Sequence, residues 1–206
     1  MLRTRRGFTL IEMIGVLAVI SILAAMVVPK IFDVIADSKA TRTASEVQTY
    51  QASVAKWYKD IGSLQSLVAA GTLTATDAAF HTALSKNGGT TSTTGLWAKW
   101  RGPYLDAIGA PAIGTSVVIG TAAGTATVVG TDATGWDLNS DGTAETAATN
   151  QVVAMTFAGV SQTEFDRVEA ILDSGDSALT AAQKQARGKV KWDSGTGAMY
   201  VYLAYN

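Results

Sequence analysis

The sequence predicts an α+β fold: one long N-terminal helix, half of it membrane-embedded and kinked near Pro29, packed on an antiparallel β-sheet. Three observations predict it. An uncharged apolar run follows a short basic start, apolar residues then recur at helical spacing to Ile61, and the later segments alternate as strands between Gly-rich turns. Setting aside the first 60 or so of the 206 residues leaves about 145, enough for a domain that buries roughly two-thirds of its surface.

The start of the chain is MLRTRRGFTLIEMIGVLAVISILAAMVVPKIF. Arg3, Arg5 and Arg6 precede the apolar run, and the next cation is Lys30. The positive-inside bias keeps such an N-terminus in the cytoplasm and exports the rest. Between Glu12 and Lys30 lie about 17 uncharged residues, the lower limit for a membrane-spanning helix. A secretory signal shares the basic start and apolar middle, with Ala24 and Ala25 as loose cleavage residues. A plain membrane anchor is a second rival. Neither explains Glu12, because a carboxylate at membrane depth is costly and marks a functional site with a cationic partner.

Gly7-Phe8-Thr9-Leu10-Ile11-Glu12 resembles the processing site of type IV prepilins and type II secretion pseudopilins. The resemblance covers roughly the first 50 residues. It implies that residues 1–7 are a leader cut off after Gly7 by a prepilin peptidase at the cytoplasmic face. It also implies that Phe8 is then N-methylated and that 8–29 serves as transmembrane and polymerisation helix. Glu12 falls at the fifth mature position, where the family has a glutamate, and Pro29 matches a proline common in that helix. The fold is then pilin-like, with residues 30–206 forming the amphipathic half-helix and the globular domain. The implied setting is the bacterial inner membrane, single-pass with a cytoplasmic N-terminus, followed by a periplasmic or cell-surface filament. The implied partners are further copies of the chain, other pilins or pseudopilins, the peptidase/methyltransferase and an inner-membrane assembly platform.

The physics agrees with this resemblance. Cleavage gives Phe8 a charged amine at the bilayer edge, and Glu12 is its counter-charge, which the family implies is met on a neighbouring subunit. An unpaired charge in low dielectric costs several kcal/mol, so such a pair aligns incoming subunits. Losing three arginines takes the formal side-chain charge from -1 to about -4, which weakens cytoplasmic anchoring. Pro29 has two readings, a kink where the helix leaves the membrane or a weak point that loosens in a filament.

Beyond Pro29 the helix is expected to run to Gly62, with Val47, Tyr50, Val54, Trp57 and Ile61 on one core face and Lys39, Arg42, Glu46, Lys56 and Lys59 mostly off it. Residues 64–87 read as one or two short helices, and Thr90–Gly95 as a polar loop. Trp100-Arg101-Gly102-Pro103-Tyr104-Leu105 is similar to a segment of major pseudopilins and some pilins. The two tryptophans beside Lys99 and Arg101 could instead stack on single-stranded nucleic acid, but such residues more often close a core edge. Val117–Gly130 reads as a hairpin and Val152–Phe157 as a strand. A helix over 162–173 starts from a Ser161/Glu164 capping box. Strands at Lys189–Trp192 and Met199–Leu203 flank the turn Asp193–Gly197.

Asp137-Leu138-Asn139-Ser140-Asp141-Gly142-Thr143-Ala144-Glu145 has the opening of an EF-hand-type loop. Asp137, Asn139, Asp141, Thr143 and Glu145 are candidate calcium ligands. The twelfth position is Ala148 in place of glutamate, so Glu145 or Asp132 would have to complete the shell. A polar turn held by Asx bonds is the other reading. Asp173, Asp176 and Ser177 read as a helix end and turn.

Absence of cysteine excludes thiolate metal sites and cysteine nucleophiles. The near-neutral charge argues against a polybasic nucleic-acid binder. His81 is the single histidine, with no partner suggested by spacing, and no P-loop, dinucleotide fingerprint or nucleophile elbow is present. The expectation is a structural filament subunit and not an enzyme. The alternative is a monomeric anchored or secreted binding module that does not polymerise.

Overall fold

The computed structural model describes residues 7–67, 73–74, 80–85, 95–106, 108–123, 135–146, 150–173 and 179–206. The chain divides into two compact units, Met1–Ser38 and Lys39–Asn206. Helix α1 (Leu10–Ile61) contributes to both.

In the first unit, α1 is exposed all round. Every large apolar side chain from Phe8 to Ile35 lies open. A helix apolar on all faces has no inside in water, and among the described residues this one is long and apolar enough to cross a membrane. The helix passes through Pro29 uninterrupted.

In the second unit, α1 becomes one-sided. Ala40, Thr43, Ala44, Val47, Tyr50, Ser53, Val54, Trp57 and Ile61 are buried, at the spacings of three and four that the sequence gives away. The buried hydroxyls of Thr43 and Ser53 donate to the Lys39 and Thr49 carbonyls one turn earlier, at 3.0 and 3.1 Å. Gly62 stops the helix at φ 81°, a left-handed conformation that suits glycine.

This face of α1 packs on a four-stranded antiparallel sheet of β3 (Ser116–Ala123), β4 (Gln151–Ala158), β5 (Val190–Asp193) and β6 (Ala198–Tyr205), in the order β3-β4-β6-β5. The core face carries Ile119, Val153, Met155, Phe157, Val190, Trp192, Met199, Val201 and Leu203. Period-two alternation along each strand puts them there. Helix α3 (Gln162–Leu172) has the expected Ser161/Glu164 capping box, and its Phe165 stacks on Trp192 at 5.6 Å.

The structure adds to these expectations and changes one of them. Among the described residues of 64–87 are two short strands, β1 (Ser66–Leu67) and β2 (Leu73–Thr74), paired antiparallel, and a six-residue helix α2 (Phe80–Ser85). Gly71, Thr72 and Thr74 are weak helix formers, which favours the extended pairing. The first arm of the expected hairpin pairs with β4, Val117 opposite Phe157; the second arm at 127–129 lies outside the described residues. A 3-10 turn at Gly95–Lys99 and helix α4 (Ala181–Ala186) were not foreseen. The second has its own Thr180/Gln183 capping box.

The segment after α1 closes the domain's aromatic core. Trp57, fully buried, meets Phe80, Trp97 and Tyr104 edge-on at centroid distances of 5.1, 6.4 and 6.0 Å. Its indole N–H donates to the Ser63 carbonyl at 2.9 Å, and that of Trp100 to the Ala83 carbonyl at 3.1 Å. Trp97 is buried and Trp100 half-buried, so both indoles help close this edge of the core.

Candidate functional site

Gly7, Phe8 and Thr9 precede the first turn of α1 in non-helical, exposed backbone. Both residues of the Gly7–Phe8 bond are exposed. A Cβ added at Gly7 would meet nothing within 4 Å among the surrounding atoms, so fold sterics do not require glycine there. Phe8 is 84% exposed.

Glu12 is placed by a feature the sequence reading missed. Thr9 caps α1, and its amide and hydroxyl both donate to Glu12 Oε2 at 2.7 Å, while the Glu12 amide donates back to Thr9 Oγ1 at 3.3 Å. This is a reciprocal capping box, readable from Thr-x-x-Glu just ahead of an apolar run. The carboxylate is thereby turned back towards the N-terminal end of α1. Both bonds from described residues end on one oxygen, which leaves Oε1 for a second partner.

Residues 2–28 match the family model described as the prokaryotic N-terminal methylation motif, the signature of type IV pilins and pseudopilins. No curated protein and no solved structure matches the chain. This signature, at the start of a long helix on an antiparallel sheet, supports a precursor of the pilin or pseudopilin type. That signature points to a structural subunit in place of an enzyme.

The acidic loop is the second candidate. Asp137, Asp141 and Glu145 bring carboxylate oxygens within 4.8 Å of one another. Asp137 is fully buried; Oδ1 accepts the Asp141 amide at 3.1 Å and Oδ2 the Gly142 amide at 2.7 Å. Asn139 Oδ1 accepts the Asp141 amide at 2.9 Å, and Asp141 Oδ1 the Thr143 amide at 2.7 Å. Glu145 Oε2 accepts the Leu138 amide. Gly142 turns at φ 95°, with the Arg187 guanidinium 3.3 Å from where its Cβ would be. Ala148 and Asp132 lie outside the described residues. Asp173 caps α3, and its Oδ2 accepts the Val190 amide at 2.8 Å.

Beneath this loop sits Lys191, which alternation alone would send to solvent. It is fully buried: Nζ donates to the Gly135 carbonyl at 2.7 Å and lies 5.2 Å from the Trp136 ring centroid. Trp136 in turn packs on Tyr202 at 5.7 Å. The loop therefore covers the face of β5 and β6 opposite the main core. Burial pushes the Lys191 ammonium down to about 8, against the pull of the Asp137 carboxylate.

A lysine in the unfolded chain titrates near ~10.4. Between those two values the unfolded chain binds more protons, so stability rises as pH passes from about 8 towards about 10. Tyr104 and Tyr202, pushed up to about 12 chiefly by burial, act the other way. Above about 10 the unfolded tyrosines lose protons first and stability falls. The urea midpoint is expected to climb between about pH 7.5 and 9.5 and turn over above about 10. Lys191→Met should flatten the climb; a wild-type profile already flat there would contradict the buried ammonium.

Proposed function

We propose that this chain is a structural subunit of a helical filament, of the type II secretion pseudopilus or type IV pilus kind. In this reading it is cut after Gly7, methylated on Phe8 and assembled through α1. It waits in the inner membrane as a single-pass precursor with its N-terminus in the cytoplasm, and a platform there lifts it into the filament. The observation that carries the reading is Glu12, exposed at the head of an all-apolar helix and held by Thr9 through one carboxylate oxygen, inside a methylation motif. A neighbour's Phe8 amine is the cation that makes this carboxylate tolerable in low dielectric. The similarity of Trp100–Leu105 to major pseudopilins favours the secretion filament over the pilus. Co-expression with a prepilin peptidase and assembly platform should yield sheared filaments containing this chain, and omission of the peptidase should yield none. Equal release of monomer in both cases would favour the non-polymerising binding module.

For the acidic loop we propose calcium held by Asp137, Asn139, Asp141, Thr143 and Glu145. Three converging carboxylates outweigh the Arg187 guanidinium and the buried Lys191 ammonium beside them, and all five side chains offer hard oxygen. Calcium should raise the unfolding midpoint of the chelator-treated protein, with magnesium as control; identical midpoints would leave Arg187 and Lys191 as the cations that close the loop.

A further inference from the structure

Helix α1 carries more apolar surface than a membrane can hide. Phe8 to Pro29 is 22 residues, or ~33 Å at 1.5 Å per residue, which fills the ~30 Å hydrocarbon core. Yet Ile31, Phe32, Val34 and Ile35 beyond it remain 50, 67, 66 and 47% exposed. Met26, Val27, Lys30, Ile31, Val34 and Ile35 line one shallow groove on this part of the helix. A contiguous apolar patch rimmed by charge marks a contact surface.

The charges indicate what covers it. Glu12 and Lys30 are eighteen residues apart, about five full turns, so they share one face of α1. Asp37, seven residues past Lys30, returns to that face after about two turns, and Asp33 flanks it. All three beyond the membrane span are exposed. Membrane insertion makes neighbouring copies parallel. Packed in register, they would set Glu12 against Glu12 and Lys30 against Lys30, which repels. An axial offset removes both conflicts at once. Bringing a neighbour's Phe8 amine level with Glu12 needs four residues, ~6 Å, and the reach of the Glu12 side chain extends the range to about seven. Because α1 is uninterrupted through Pro29, the same offset appears at Lys30. The neighbour's Lys30 then lies level with positions 34–37, between Asp33 and Asp37.

We infer that a second copy of this chain covers the Ile31–Ile35 collar, offset by about four to seven residues, with Lys30 of one copy paired to Asp33 and Asp37 of the next. This rests on the filament reading above and adds a second, periplasmic-side pair that fixes the register.

The test uses the full chain, with Glu12 unchanged, in the peptidase and platform strain. Lys30→Glu should lower sheared filament yield by about tenfold or more, while membrane fractionation shows normal insertion. Lys30→Glu combined with Asp33→Lys and Asp37→Lys inverts every partner within one chain and should restore the yield. Wild-type yield from Lys30→Glu, or no recovery in the inverted chain, overturns the pairing while wild-type filaments leave the filament reading standing. Absence of wild-type filaments overturns both.

Discussion

Glu12→Gln is expected to leave α1 capped and the precursor inserted, yet to lower filament yield by at least ~100-fold. Glutamine can serve as the third residue of a capping box, so the bonds with Thr9 survive the change. Only the charge is lost. A neighbour's Phe8 amine would then enter the apolar filament core without a counter-ion, at a cost of several kcal/mol for each subunit. Glu12→Ala removes the cap as well and should assemble no better. The comparison separates the capping role that the structure gives this carboxylate from its proposed counter-charge role. Filament yields from sheared cells, normalised to membrane-fraction precursor, measure it. If glutamine supports normal assembly and alanine does not, Glu12 acts by starting the helix and the counter-charge mechanism is wrong.

Asp137→Ala is expected to destabilise the globular domain by about 3–5 kcal/mol. The side chain is fully buried and accepts two backbone amides that shape the loop. Its carboxylate also faces the Arg187 Nε at 3.8 Å and opposes the cost of burying Lys191. Removing it strands the Gly142 amide, leaves the Asp141 amide only Asn139 Oδ1, and takes away the carboxylate that favours the buried Lys191 ammonium. Asp137→Asn keeps an acceptor but not the charge, and should cost less, about 1–3 kcal/mol. Urea midpoints of the detergent-solubilised full chain check both. Calcium should no longer raise the midpoint of either variant if this loop is its site. A change under about 1 kcal/mol for the alanine variant would mean the loop is a surface ornament and not the cover of the sheet.

These two residues also mark what could be read from the sequence. The motif around Gly7 and the uncharged run to Pro29 depend on neighbours in the chain, so they were legible. So were the stripe from Val47 to Ile61, the Gly62 stop, the Ser161/Glu164 cap and the β5–β6 hairpin around Asp193–Gly197. The pairing of β3 with β4, whose register joins Val117 to Phe157, leaves no local trace, since it is chosen by the sheet as a whole. The burial of Lys191 was illegible for a related reason. Alternation alone would point it outward, but a loop some fifty residues earlier folds over that face and supplies the Gly135 carbonyl. Two capping boxes, Thr9/Glu12 and Thr180/Gln183, were in plain sight. At Glu12 the cap turns towards the N-terminus the same carboxylate that the proposed counter-charge role requires.

The most direct measurement is N-terminal sequencing with intact mass on the protein recovered from membranes. A chain that begins at N-methylated Phe8 is the predicted result, since it creates the amine on which Glu12, the axial offset and assembly all depend. A chain that begins near Met26, or still carries Met1 in cells with an active peptidase, would contradict the account and leave a secreted or simply anchored domain.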